Sequence, residues 1–395
     1  MTQASPIPAS AVPLLSLAAF ASGISMRAAD PLLPLLARQF GVPLGEASLV
    51  ITVFSIAYGL SQLGFGPLGD RHGKYLAIAL AALASAGTAL LCAAASSLPA
   101  LLAMRVLAGA TAAAIIPLSM AWIGDVIDYE HRQPVLARFL IGQILGVSAG
   151  VLVGGLAADA WQWRLPFLLA AAIFLLVGLG LLALNRRLPP HAKTVYPVAG
   201  NAVRHMLAGF GQVAALPWAR LVLLSAFLEG GLLYGPFAFI ASHLHQRHGL
   251  SLALAGAVIM LFGFGGFAFA MGSKALLARL GEAGLPRWGG LVLAVSLAAI
   301  GFAPVWWLAM PATFCAGLGF YMLHNTLQTH ATQMAPERRG AAVSAFASCF
   351  FMGQASGVGV AGLLLAHVGT AALLVGGALG LLAVALNFSR RVRIK

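Results

Sequence analysis

Uncharged apolar runs of about twenty residues or more recur along the whole chain, Leu76–Met104 and Leu165–Asn185 among them. That is the length an α-helix needs to cross a hydrocarbon core about 30 Å thick. Inside such a core each backbone N–H and C=O must be satisfied within the protein, which leaves helices and closed barrels as spanning structures. Barrel strands alternate polar and apolar residues, and these continuous runs do not. Only 8% of the 395 residues are charged, against roughly a quarter in a soluble domain. The chain is therefore read as an all-α polytopic membrane protein.

Apolar runs between turn and charge signals predict spans near 12–36, 46–68, 75–97, 99–122, 135–158 and 165–184, and a second set near 218–241, 251–272, 285–303, 305–329, 341–365 and 369–388. The first run follows a segment without Lys or Arg, so it is read as a span rather than a cleaved leader. The two sets give twelve transmembrane helices in two six-helix halves. One long polar stretch, Asn185–Trp218, separates them. The expected division is an N-terminal bundle at 1–190, a cytoplasmic linker at 191–217 and a C-terminal bundle at 218–395. Cys92, Cys315 and Cys349 lie inside apolar runs without paired spacing and are read as inert buried thiols, neither a disulfide framework nor metal ligands.

An even number of spans puts both termini and the long stretch on one side. Of the 23 Lys and Arg, 18 fall in loops and ends on that side; the opposite loops hold only Arg38, Arg164 and Arg247. By the positive-inside rule both termini are cytoplasmic, in the cell inner (plasma) membrane. The formal charge of +13 is thereby read as orientation, not as a nucleic-acid surface. The halves also echo each other. Glu130-His131-Arg132 matches Glu337-Arg338-Arg339 at an offset of 207 residues (337 − 130), and the same offset superposes Phe139 on Phe346, Gly146 on Gly353 and Gly150 on Gly357.

Two Arg, Arg27 and Arg105, lie inside spans together with Asp30 and Glu229. An ionisable side chain near the bilayer centre costs several kcal/mol, so one that is retained is a functional candidate. Glu229 lies about 11 residues into the seventh span, roughly 16 Å deep, near the midplane. Its neighbours from Phe227 to Leu233 supply no charge. A carboxyl that is neutral when sealed and ionised when wetted carries a proton; the alternative is a permanently neutral structural Glu. Arg27 and Asp30, three apart, share a helix face and can pair. Asp30 and Arg105 both fall roughly 10 Å from the outer helix ends, so the three could meet, and if they do they form either a charge switch near an outer gate or a fixed salt bridge. In the tenth span Tyr321, His324, Asn325 and Gln328 recur at three- and four-residue spacing and make a polar stripe, facing a cavity or bonded to another helix. His243, His245 and His248 lack supporting acids and are read as solvated loop residues; no metal site is expected.

Between the second and third spans stands Gly66-Pro67-Leu68-Gly69-Asp70-Arg71-His72-Gly73-Lys74-Tyr75. It resembles the major facilitator superfamily signature G-x-L-x-D-R-x-G-R-R at the place that family carries it, with Tyr75 in place of the last basic residue. Arg105 and Gly109 resemble the family's R-x-x-x-G element. Gly142, Gly146, Gly150, Gly154 and Gly155 resemble the antiporter motif G-x-x-x-G-P-x-x-G-G of its drug exporters, with Val151 in place of the proline. Asp30-Pro31-Leu32-Leu33-Pro34 and Pro336-Glu337-Arg338-Arg339-Gly340 resemble the family's twelve-helix drug and metabolite exporters. The resemblance implies alternating access, with the Asp70 and Arg71 loop acting on conformational switching. In the family, spans 1, 4, 7 and 10 surround a central cavity; by that resemblance Tyr234, Glu229 and the stripe of the tenth span face substrate.

The implied function is proton-coupled export of a small organic compound, with Glu229 and Asp30 carrying the coupling and Arg27 and Arg105 tuning it. An importer or facilitator on the same fold is the alternative, since architecture does not set direction. A membrane enzyme or receptor would need a catalytic constellation or a soluble domain; no P-loop or zinc-ligand spacing is present. The expected partners are substrate, protons and lipid, with no cofactor and no nucleic acid, and the expected state is a monomer.

Overall fold

The computed structural model describes residues 7–193, 195 and 202–392, and among them the regular structure is helical, with no strand. Among the described residues nine helices are long and apolar enough to cross a membrane. Two of these are double spans. Leu252–Phe302 and Arg339–Val392 have 51 and 54 residues, each more than twice what a bilayer of about 30 Å needs, and each turns back at one glycine, Gly281 (φ 70°) and Gly369 (φ 75°). Left-handed φ at the turn is open to glycine at no steric cost. The first span, Ala11–Arg27 continued by Leu33–Phe40, completes twelve.

Spans 1, 4 and 7 are interrupted. The breaks lie between Arg27 and Leu33, Ala112 and Ile115, and Phe237 and Ile240. Pro31, Pro117 and Pro236 sit at or beside them; a proline lacks the N–H that would bond four residues back, and its ring clashes with that carbonyl. Arg27 ends the first piece of span 1, where unpaired carbonyls favour a cation, and Asp30 precedes the second piece, whose N-terminus favours an acid.

The glycines of the fifth span act as the four-residue spacing requires. A Cβ on Gly142, Gly146 or Gly154 would overlap the backbone oxygen of Ser16, Phe20 or Ala28 of span 1. The second half repeats the seam. Gly353 meets the backbone of Phe227 and Gly357 that of Gly231, and Phe227 and Gly231 follow Phe20 and Ile24 at the same offset as the glycines themselves.

The halves close on each other at the end away from the termini. Gly45 lies against the Gly362 backbone, and Asp159, ending the fifth span, accepts from the amides of Leu252 (2.8 Å) and Ala253 (2.9 Å) at the start of the eighth. Further in, Tyr58 packs on Phe351, and Ser148 lies where Gly263 leaves room. Toward the termini Asn325, Gln328 and Thr329 are exposed. Part of the segment read as a plain linker is helical: Ala202–Ala215 is an α-helix, and its Val213 is fully buried in the core of the second half.

Candidate functional site

Glu229 is fully buried, and its Oε2 hydrogen-bonds His324 Nδ1 of the tenth span at 2.8 Å. Both residues were legible as candidates; their bond was not. The His324 ring lies among Phe320, Phe346 and Phe350, with centroids 5.0, 5.5 and 4.7 Å away. Glu229 Oε1 meets no hydrogen-bond donor among the described residues. An ionised carboxylate there would keep half its charge uncompensated, a costly arrangement in an apolar surrounding.

One and a half turns further along the seventh span, Tyr234 carries the Arg27 guanidinium over its ring at 3.8 Å. Arg27 and Tyr234 are themselves separated by the repeat offset, so equivalent positions of the two halves meet here. Arg27 Nη1 pairs with Asp30 Oδ2 at 3.2 Å, and Nη2 donates to Gln354 Oε1 of the eleventh span at 3.2 Å. Gln354 Nε2 in turn donates to Ser55 Oγ of the second span at 2.8 Å. Spans 1, 2 and 11 are thus tied through one amide. A small cavity opens beside this cluster between Arg27, Ser148, Tyr234, Phe237, Phe262 and Gly263.

Arg105 does not join Asp30 in an ion pair, contrary to the sequence expectation. It is fully buried, donates to the carbonyls of Val50 (3.1 Å) and Ser25 (3.0 Å), and stacks over Phe54 at 4.0 Å. The backbone of two neighbouring spans supplies the acceptors that an acid was expected to supply. Tyr321 is half-buried beside Gly266, while Asn325 and Gln328 stand exposed on the terminal side of His324. The outer histidines are not solvated loop residues: they lie in the helix Ile240–His248, with His243 buried. Gly146-Val147-Ser148-Ala149-Gly150 spells the G-x-S-x-G of serine hydrolases, but it is continuous helix rather than the strand-to-helix turn that exposes a nucleophile.

In the signature loop Gly66 lies within the helix Leu49–His72, and Gly73 breaks it with φ 87° before Lys74–Ala94 begins. Lys74 Nζ lies 2.7 Å from Asp70 and 2.7 Å from Asp125, which clamps spans 2, 3 and 4 at their terminal ends. Arg71 is exposed. Neither Asp125 nor Gln354 was singled out from sequence, although a polar side chain inside the apolar run 341–365 is the same kind of signal as Glu229.

The sequence model of the Major Facilitator Superfamily matches residues 15–351. The chain belongs to the Major Facilitator Superfamily. It is 24% identical over 339 residues to an MFS-type transporter of Bacillus subtilis, YceJ, covering 85% of this chain and 84% of that one. It is 30% identical over 165 residues to the multidrug export protein EmrB of Haemophilus influenzae, covering 42% of this chain and 32% of that one. Among solved structures it resembles a bacterial homolog of the human lysosomal transporter Spinster in an inward-facing, unoccupied conformation, with a TM-score of 0.71 at 19% identity over 99% of this chain and 95% of that one. Membership makes the chain a multi-pass membrane transporter rather than an enzyme, and makes the all-helical architecture the superfamily's twelve-helix fold.

Proposed function

We propose that this chain exports a small organic compound from the cytoplasm in exchange for protons, by alternating access, with Glu229 and Asp30 as the proton-carrying groups and Arg27 and Arg105 tuning them. The observation that carries the reading is the pair of fully sealed carboxyls, Asp30 and Glu229, each with one oxygen that meets no donor among the described residues. Sealed carboxyls that become wetted when the halves rock are the elements a proton-driven carrier needs. The partial likeness to a multidrug exporter supports the direction.

In this reading 1–190 and 218–395 are the rocking bodies of a monomer in the inner membrane, with both termini cytoplasmic as the basic loops indicate. The conformation described then faces inward, sealed at the outer end by Gly45 on Gly362 and Asp159 on Leu252. Tyr234, Tyr321, His324, Asn325 and Gln328 line the substrate path, and the Gly66, Asp70, Arg71, Gly73 and Lys74 loop governs switching.

The test is in two steps. An export panel comparing a deletion strain with an overexpressing strain identifies a transported compound. That compound is then followed in proteoliposomes with an imposed pH gradient. Protons moving against the compound support the exchange; protons moving with it mark an importer by symport; transport indifferent to the gradient marks a facilitator. Either of the last two outcomes overturns the proposal.

A further inference from the structure

Resting on that reading of Glu229, we infer that in the state seen here protons reach and leave Glu229 through the imidazole of His324, so that His324 is the proton gate of the terminal side. Glu229 has no exposed surface, whereas the His324 side chain is 17% exposed. The Glu229 carboxyl has one hydrogen-bond partner among the described residues, the near nitrogen of that ring. The surrounding helices pack closely. Gly230 lies on the Phe350 carbonyl, Gly231 faces Gly353, and Phe320, Phe346 and Phe350 surround the imidazole.

An imidazole has two nitrogens that can hold a proton, one turned toward each neighbour. In the loading step a hydronium ion on the open side gives a proton to Nε2 and is left as water, and the proton on Nδ1 passes to Glu229 Oε2. The ring ends neutral with its hydrogen on Nε2 and the carboxylate ends as a carboxylic acid. Release is the same two transfers reversed. Other ionisable groups near the pair are Tyr234 on the same span and, beyond its ring, Arg27 and Asp30 of the first span. The eleventh span contributes the amide of Gln354. His330, two turns nearer the termini, lies 3.1 Å from Glu282. None of these reaches a Glu229 oxygen within hydrogen-bond distance.

Exchange of the carboxyl hydrogen tests this without knowledge of the substrate. The full chain in lipid is transferred from water to heavy water, and the shift of the protonated carboxyl band is followed by infrared spectroscopy, with Glu229→Gln identifying which band is Glu229. His324→Phe keeps a ring among the phenylalanines but carries no proton, and His324→Leu is a second apolar plug, each checked by its melting temperature. The wild type is expected to exchange within the mixing time and both variants to slow by roughly 100-fold, the lower range for losing a positioned proton-transfer group. Exchange as fast as wild type in either folded variant overturns the gate while leaving Glu229 as the carrier. If Glu229→Gln removes no carboxyl band at any pH tested, Glu229 does not hold a proton, and both the gate and the carrier assignment fall.

Discussion

Gln354→Ala should loosen the closed end of the molecule without touching a charge. The amide accepts from Arg27 and donates to Ser55, so two hydrogen bonds cross from the second half to the first through one side chain. Both must break when the halves part. A neutral hydrogen bond contributes about 0.5–1.5 kcal/mol net and one to a charged group about 1.5–3. The lower bounds sum to about 2 kcal/mol, and at 1.4 kcal/mol per tenfold the ratio of parted to closed molecules should rise roughly 30-fold. Arg27 keeps its ion pair with Asp30 in the variant, which separates the latch from the charge pair. Spin labels at Glu46 and His367, exposed on opposite halves at the closed end, report the populations by pulsed dipolar spectroscopy. A distance distribution that moves toward longer separations bears the reasoning out. A distribution unchanged in Gln354→Ala, with the fold intact, refutes it.

Gly146→Ala should lower the melting temperature by the equivalent of about 1–3 kcal/mol, because its Cβ meets the Phe20 carbonyl. Gly87→Ala, where a Cβ meets nothing, should stay within about 1 kcal/mol of wild type, and equal effects would show that the seam is not tight. Asp70→Asn leaves Lys74 its contact with Asp125, so stability should change by less than about 1 kcal/mol for this partly exposed pair, while transport of the compound identified by the export panel slows at unchanged affinity. A large affinity loss with normal turnover would contradict a switching role. For orientation, a cysteine at Lys193 should resist a membrane-impermeant thiol reagent in intact cells and one at Arg247 should react; the reverse labelling inverts the topology.

The spans were readable because the hydrocarbon core imposes one rule on every crossing segment: each predicted run from 12–36 to 369–388 is largely helix, broken in spans 1, 4 and 7. The sequence reading separated the double spans at 273–284 and 366–368; the structure puts the turns at Gly281 and Gly369. Ala202–Ala215 escaped notice because the stretch around it is polar and its apolar residues fill only one face, a pattern that length and hydropathy rules overlook. At the site, Glu229, His324, Arg27 and Asp30 announced themselves as costly groups. Local spacing also implied the Arg27 and Asp30 pair. The bond between Glu229 and His324, 95 positions apart, depends on how the seventh and tenth spans pack. Arg105 shows the limit most clearly. Its depth was estimated from sequence, but the carbonyls of Val50 and Ser25 that it meets are backbone atoms that no side-chain pattern reveals.

The contact of Arg27 with Tyr234 constrains how the two halves can have diverged. Were the halves identical, a two-fold axis through this point would set each residue against its own copy: two guanidiniums would repel in a place with little water, and two phenols would leave no cation for Asp30 or Gln354. A mixed pair exists only when the two halves differ in sequence at this position. Carrying both halves in one chain therefore does more than tether them, because it allows this meeting of equivalent positions to be lopsided, with a cation on one side and its aromatic rest on the other. The N-terminal half expressed alone and allowed to dimerise would set two guanidiniums against each other at its centre.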